Sequence, residues 1–289
     1  PRPFFMMPKR GANIPQTHEL PRSARWLERF YGDGFLPREK KPMVVDLAQC
    51  PGPYLRSCDD EPLQILDSAS QIASLPAGIR PGVVQAAVDD GRMSEHMVAA
   101  LPVHKDSGVG EELASWVLRH AAPGLKHVAF VNGGSEANEK ALYLARRYGQ
   151  GGTRIAAFEG SFHGRTLLPL FSTWNPVKRE PYQLHGYETD FVPFPVCHVD
   201  DDPALPEGWT AHWAQKQSGP FAVPDGDILL NTEVQVLCAL QDMFGEGNML
   251  ACLVEPYQCE GGDRPATRRF FHALRALTSA YRVPLIFDE

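Results

Sequence analysis

From about residue 127 onward, short apolar runs and amphipathic stretches take turns along the chain, and few folds accommodate that alternation. Strands are expected at about His127 to Val131, Arg154 to Phe158, Leu250 to Val254 and Pro284 to Phe287. Helices are expected between them, at about Ser135 to Tyr148, Thr232 to Phe244 and Thr267 to Tyr281. Strands bounded by helices at this pace predict an α/β fold with a mainly parallel sheet and helices on both faces. The helix near the end carries Phe270, Leu274, Leu277 and Tyr281 at helical spacing, a stripe suited to lie on such a sheet. The last strand delivers Asp288 at its carboxyl end, the edge where open α/β sheets gather ligand chemistry.

The earlier part of the chain reads differently. Residues 1 to about 45 are rich in Pro, Arg and aromatics, with one amphipathic piece from Arg22 to Tyr31, and describe an arm that packs on something else. Met43 to Leu75 shows short strand-like runs broken by Pro51-Gly52-Pro53 and by Cys58-Asp59-Asp60-Glu61, which predicts a small antiparallel unit. Helical spacing begins at Pro81 to Asp90 and returns at Glu111 to His120. The expected division is therefore an arm and small-domain segment over 1–75 and a large domain over 76–289. Between Pro169 and Leu230 the pattern lapses into Pro, Gly, aromatic and acidic residues, as expected of a functional loop or insertion.

With 289 residues, 43% hydrophobic content and a net charge of −7, the chain can bury a substantial core and lacks the basic balance of a nucleic-acid binder. Its longest apolar runs are too short to span a bilayer. Six cysteines without a CxxC pair fit a reducing compartment, and ten histidines without ligand spacing give no metal site. A cytoplasmic protein is expected.

Four stretches carry chemistry. Asn132-Gly133-Gly134-Ser135-Glu136-Ala137-Asn138 lies between a strand and a strong helix, where backbone amides, the dipole end and the Ser135 hydroxyl can hold a phosphate. The same residues also serve as a plain glycine turn with Ser135 as N-cap. Phe162-His163-Gly164-Arg165 sets a stacking face, an imidazole and a guanidinium on one glycine-flanked turn. Arg165 there is either a carboxylate clamp or half of a surface ion pair. Glu255 and Glu260 flank Pro256-Tyr257-Gln258-Cys259 at a strand end, where idle buried carboxylates would be costly. Asp288 admits three readings: metal ligand, general base or partner of a heterocyclic nitrogen.

Together, in this order and spacing, the four stretches resemble the class III aminotransferases, pyridoxal-phosphate enzymes of fold type I. The resemblance runs from about Pro76 to Glu289, with a weaker echo over Tyr54 to Leu75. It is strongest to omega-aminotransferases acting on lysine, ornithine or 4-aminobutyrate, with a lean toward lysine 6-aminotransferase. It implies pyridoxal 5'-phosphate as cofactor and transfer of an omega-amino group to 2-oxoglutarate, giving a semialdehyde and glutamate. It further implies that Gly134 and Ser135 bind the phosphate, that Phe162 stacks on the pyridine ring with His163 beside it, and that Asp288 pairs with the ring nitrogen. Arg165 would bind a substrate carboxylate, Glu260 would act as a switch between two substrates, and Glu255 would support the floor of the site. A homodimer with shared active sites is implied as well.

The same resemblance places the Schiff-base lysine after the strand that ends in Asp288-Glu289. The chain is therefore expected to be the amino-terminal portion of a longer polypeptide, without the carboxyl-terminal part of the fold. Two other readings use the same residues: an incomplete or split homologue acting in binding or assembly, and an aminomutase or decarboxylase on this fold.

Overall fold

The computed structural model describes residues 20–32, 43–50, 52–91, 109–182, 184–197 and 229–289. They fall into two compact units, one within Phe5–Val128 and one within Ala129–Glu289. The loop expected over Val199 to Leu230 and most of the arm lie outside the described residues.

In the first unit, helix α1 (Pro21–Gly32) is followed by a two-stranded antiparallel sheet of β1 (Tyr54–Arg56) and β2 (Gln64–Leu66). Three short helices follow: α2 (Ser70–Ala73), α3 (Gly82–Asp89) and α4 (Val109–His120). The small antiparallel unit is thus present, extended by an isolated bridge between Val45 and Ser57. Asp59 ties it to α1. Its carboxylate accepts from the Arg22 and Ser23 amides at 2.8 and 3.1 Å and from the Ser23 hydroxyl at 2.6 Å. Those amides lie in the first turn of a helix, where no carbonyl precedes them to accept.

The second unit holds α5 (Gly134–Tyr148), β3 (Arg154–Phe158), α6 (Leu167–Phe171), α7 (Pro176–Arg179), β4 (Glu188–Val192), α8 (Asn231–Glu246), β5 (Met249–Val254), the paired β6 (Tyr257–Gln258) and β7 (Arg264–Pro265), α9 (Arg268–Ala280) and β8 (Leu285–Phe287). Four strands form one sheet in the order β4-β3-β5-β8, every pair parallel. Every residue of β5 is buried, as the unbroken apolar run Met249 to Val254 requires of a strand covered on both faces. Successive side chains serve opposite faces. Cys252 and Val254 join Phe158, Leu237, Leu240, Phe270, Leu274 and Leu277 on the side of α8 and α9, while Leu253 joins Leu142, Ala145 and Ile155 on the side of α5.

Local chemistry fixes the helix ends. Thr267 caps α9 by accepting from the Phe270 amide at 3.1 Å, and its hydroxyl donates to the buried Glu233, whose other oxygen accepts from the Leu230 amide at the start of α8. Arg154 joins edge strand β4 and helix α8 to β3 through Asp190 at 3.0 Å and Glu246 at 2.8 Å.

Two expectations need correction. The run His127 to Val131 forms no strand; Phe130 and Val131 are exposed. Its β-branched and aromatic residues favour extended backbone, but a strand exists only where a neighbour supplies its hydrogen bonds, and none does among the described residues. Conversely, the stretch expected to be irregular after Pro169 contains α7 and β4. Strand β4 sits at the sheet edge with only Val192 fully buried, so its Glu188-Thr189-Asp190 start carries no apolar signal. Among the described residues, no helix is long and apolar enough to cross a membrane, and no cluster of three or more His, Cys, Asp or Glu side chains could hold a metal.

Candidate active site

Strands β3, β5 and β8 run parallel and end level with one another, Val254 lying opposite Phe287. The residues that follow them, Glu159 to Arg165, Glu255 and Asp288, therefore emerge on one edge of the sheet. Helix α5 brings its amino terminus to the same edge.

Asp288 is the centre of the arrangement. Its amide donates to the Val254 carbonyl at 2.9 Å, which continues the ladder one residue past β8 and fixes the side chain's origin. Oδ2 receives the Asn138 side-chain amide at 2.9 Å and hydrogen-bonds His163 Nδ1 at 2.8 Å. Asn138 also donates to the His163 carbonyl at 2.9 Å, so one amide holds both the acid and the loop that carries the imidazole. His163 is fully buried, and its Nε2 has no hydrogen-bond partner.

Asn138 closes the first of the four stretches but has no expected role of its own, although its spacing carries a signal. It lies four and seven residues before Leu142 and Ala145, on the inward stripe of α5, where an amide has to be paired. Ser135 is three residues before Asn138, one turn nearer the helix start on the same side. At about 1.5 Å of rise per residue the two lie roughly 4.5 Å apart along the axis.

Gly133 and Gly134 open α5 without a side-chain cap, and a Cβ at either would meet nothing within 4 Å. Among the described residues, no acceptor is seen for the Gly134, Ser135 and Glu136 amides. Ser135 does not cap the helix, contrary to one of its two readings. Its Oγ accepts the Arg165 amide at 3.1 Å, which leaves the hydroxyl proton free to donate. Gly164 makes that contact possible: its φ is +125°, and a Cβ there would lie 2.3 Å from Ser135 Oγ. Any other residue would push the Phe162 to Arg165 loop off the helix. Thr173, fully buried and also unanticipated, pins this loop from behind by accepting the His163 amide at 3.0 Å.

Phe162 lies between the two halves of the site. Its amide donates to Glu255 at 3.0 Å. Burial pushes the Glu255 carboxyl up to about 7, with the nearby Asp288 and Glu260 charges adding to the rise against the Phe162 and Cys259 amide hydrogen bonds. Two cations flank the Phe162 ring, Arg165 at 5.5 Å and Lys178 at 4.8 Å from its centroid. Glu260 forms its ion pair with Lys178. Arg165 is exposed and has no carboxylate partner among the described residues. The structure therefore joins His163 and Asp288 through Asn138 in one group and Phe162, Arg165 and Glu260 around one ring in another, with Ser135 bonded to the Arg165 amide and Glu255 to that of Phe162.

Behind these groups, Gln258 is fully buried and donates to the Glu159 carbonyl at 2.9 Å, bracing the β6 turn against the start of the Phe162 loop.

A parallel sheet with an acid, a half-buried aromatic and an open helix start gathered at its carboxyl edge has the layout of a fold type I pyridoxal-phosphate enzyme. The family description "Aminotransferase class-III" matches residues 35–289, and the chain belongs to that family, whose members depend on pyridoxal phosphate. An acetylornithine aminotransferase of Methanopyrus kandleri is 32% identical over 241 residues, 83% of this chain and 50% of its own length. A succinylornithine transaminase of Salmonella newport is 34% identical over 169 residues, 57% of this chain and 31% of its own length. Among solved structures, a lysine aminotransferase from M. tuberculosis superposes with a TM-score of 0.64 at 25% identity, covering 90% of this chain and 58% of that one. An omega-aminotransferase from Paracoccus denitrificans shares the fold, with a TM-score of 0.66 at 18% identity over 91% of this chain and 56% of that one. The chain spans about a third to a half of the length of these curated relatives.

Proposed function

We propose that the full-length protein is an aminotransferase that moves the omega-amino group of a lysine-, ornithine- or 4-aminobutyrate-like donor to 2-oxoglutarate, giving a semialdehyde and glutamate. The observation that carries this reading is the Asp288 carboxylate, held by Asn138 and His163 one helical turn from an uncapped helix start. The relatives' names support an ornithine- or lysine-type donor.

The residues fit the cofactor. The open amides at Gly134 and Ser135, with the Ser135 hydroxyl, are suited to a phosphate. Phe162 offers a ring face for stacking, and Asp288 an acid for a heterocyclic nitrogen. Pyridoxal phosphate, when bound, supplies an electron sink for the carbanion left when the amine-bearing carbon loses its proton. Asp288 would hold the proton on the ring nitrogen, its carboxylate fixed by Asn138 and His163. His163, buried and bonded to Asp288, would steady that acid. Arg165 binds a substrate carboxylate by charge-assisted hydrogen bonds. Glu260 tunes that carboxylate region, and Glu255 carries the amide of Phe162 and so sets the height of the stacking ring.

We further propose a cytoplasmic homodimer with shared active sites, built from an arm and small-domain segment over 1–75 and a large domain over 76–289. Light scattering of the full-length protein tests the dimer.

Replacing Asp288 with Asn should lower kcat by about 10²–10⁴-fold while leaving the far-ultraviolet circular dichroism unchanged. An unaltered rate would remove the role assigned to this acid. Arg165→Ala should act mainly on the donor, raising its KM by about tenfold or more. An effect confined to 2-oxoglutarate would reverse the assignment.

A further inference from the structure

Lys178 is not among the residues whose roles follow from the family resemblance, yet it sits inside the second half of the site. Asn175 accepts the Val177 amide at 3.1 Å and Pro176 opens the turn, so Lys178 is presented from a short, well-defined helix. The next residue anchors that helix: the Arg179 guanidinium lies 4.5 Å from the Phe191 ring centroid and 6.0 Å from that of Trp174. From this fixed base the Lys178 ammonium reaches the Glu260 carboxylate and stands 4.8 Å from the Phe162 ring centroid.

Charge explains what this contact does. Arg165, Lys178 and Glu260 together carry one net positive charge around Phe162. With Glu260 engaged by Lys178, an incoming carboxylate meets Arg165 without opposition from Glu260. Without Lys178, Glu260 would repel that carboxylate. The pair is about one third to two fifths exposed on each side, so it is weak enough to be exchanged during turnover.

We propose that Lys178 is a positioning residue for Glu260, and that the pair sets how well the site accepts a second carboxylate. This rests on the functional reading above. The substrate class it favours at this position is a dicarboxylate over a monocarboxylate of similar length.

The test uses the full-length protein and two readouts: the KM for 2-oxoglutarate against that for pyruvate, and the calorimetric Kd of the unreactive dicarboxylate glutarate against butyrate. Lys178→Met should raise the 2-oxoglutarate KM and glutarate Kd about 5–10-fold, and the pyruvate and butyrate values by less than about twofold. Lys178→Arg should restore most of the loss. The double variant Lys178→Met with Glu260→Gln should also recover, because the uncompensated anion is gone. Equal losses for both ligand classes, or a double variant no better than Lys178→Met, would overturn the proposal and make Lys178 a direct ligand or a packing residue. Weaker glutarate binding by Lys178→Met, together with a wild-type protein that makes no glutamate from any donor, would refute the aminotransferase reading and leave this one standing.

Discussion

Within Ala129–Glu289, whole faces of strands disappear into two apolar clusters, whereas within Phe5–Val128 only Leu20 and Cys50 are buried apolar residues among those described. The first region is ordered by burial. The second is ordered around one carboxylate, Asp59, which accepts from two first-turn amides and a hydroxyl, while Val83, Leu125 and Leu47 are exposed. Burial is collective, so many residues share the load and the geometry at the sheet edge is held to the precision that a site demands. A single hydrogen-bonded acid is local, and its loss is felt mainly by the helix it caps.

The largest effect expected from breaking this contrast comes from Phe270. It is fully buried and meets Phe158 edge to face at 6.3 Å, so Phe270→Ala should cost about 3–5 kcal/mol in a denaturant titration. A loss under about 1 kcal/mol would mean that the cluster is not the scaffold of the sheet.

Glu255 comes next and has the opposite sign. Its carboxyl is held near 7, above its ordinary value, so between the two the folded state binds more protons than the unfolded one. Any stabilising effect of that protonation is fully present below the ordinary value and lost as the pH rises through about 7. Glu255→Gln should therefore match the wild type near pH ~4 and exceed it by roughly 2–3 kcal/mol near pH ~8. A difference independent of pH would show that burial does not control this group.

Asp59→Ala should give the smallest global change, about 1–2 kcal/mol, concentrated in faster hydrogen exchange at the first turn of α1. Burial works against ionisation of Asp59, but the Ser23 hydroxyl and amide, with Ser57 and Arg22, outweigh it and keep the acid below its usual range. Its contribution is thus present above the ordinary carboxylate value and fades as the pH falls through the lowered one. Uniform protection across both regions would erase the distinction drawn between them.

The same contrast decides what could be read from sequence. Strand β3 and helices α5, α8 and α9 were legible within a residue or two because burial writes itself as periodicity. Edge strand β4 was not, since exposure removes the apolar signal, and His127 to Val131 misled because a strand-like composition does not supply a partner. Of the residues expected at the site, Ser135, Phe162, His163, Arg165, Glu255, Glu260 and Asp288 each take part in a contact at the sheet edge, whereas the roles of Asn138, Thr173 and Lys178 depend on contacts across 25, 10 and 82 residues. An amide or an ammonium at such separation carries no local pattern. Only the inward spacing of Asn138 with Leu142 marks it in the sequence, and that spacing shows a need for a partner without naming one.

The link between Asn138 and Asp288 spans 150 residues. Contacts that distant close late, because the intervening chain has to be ordered first and parallel strands are slow to find one another. During synthesis the helix start at Gly134 emerges long before Asp288, so the pairing of Asn138 with that acid has to wait until β8 has been made.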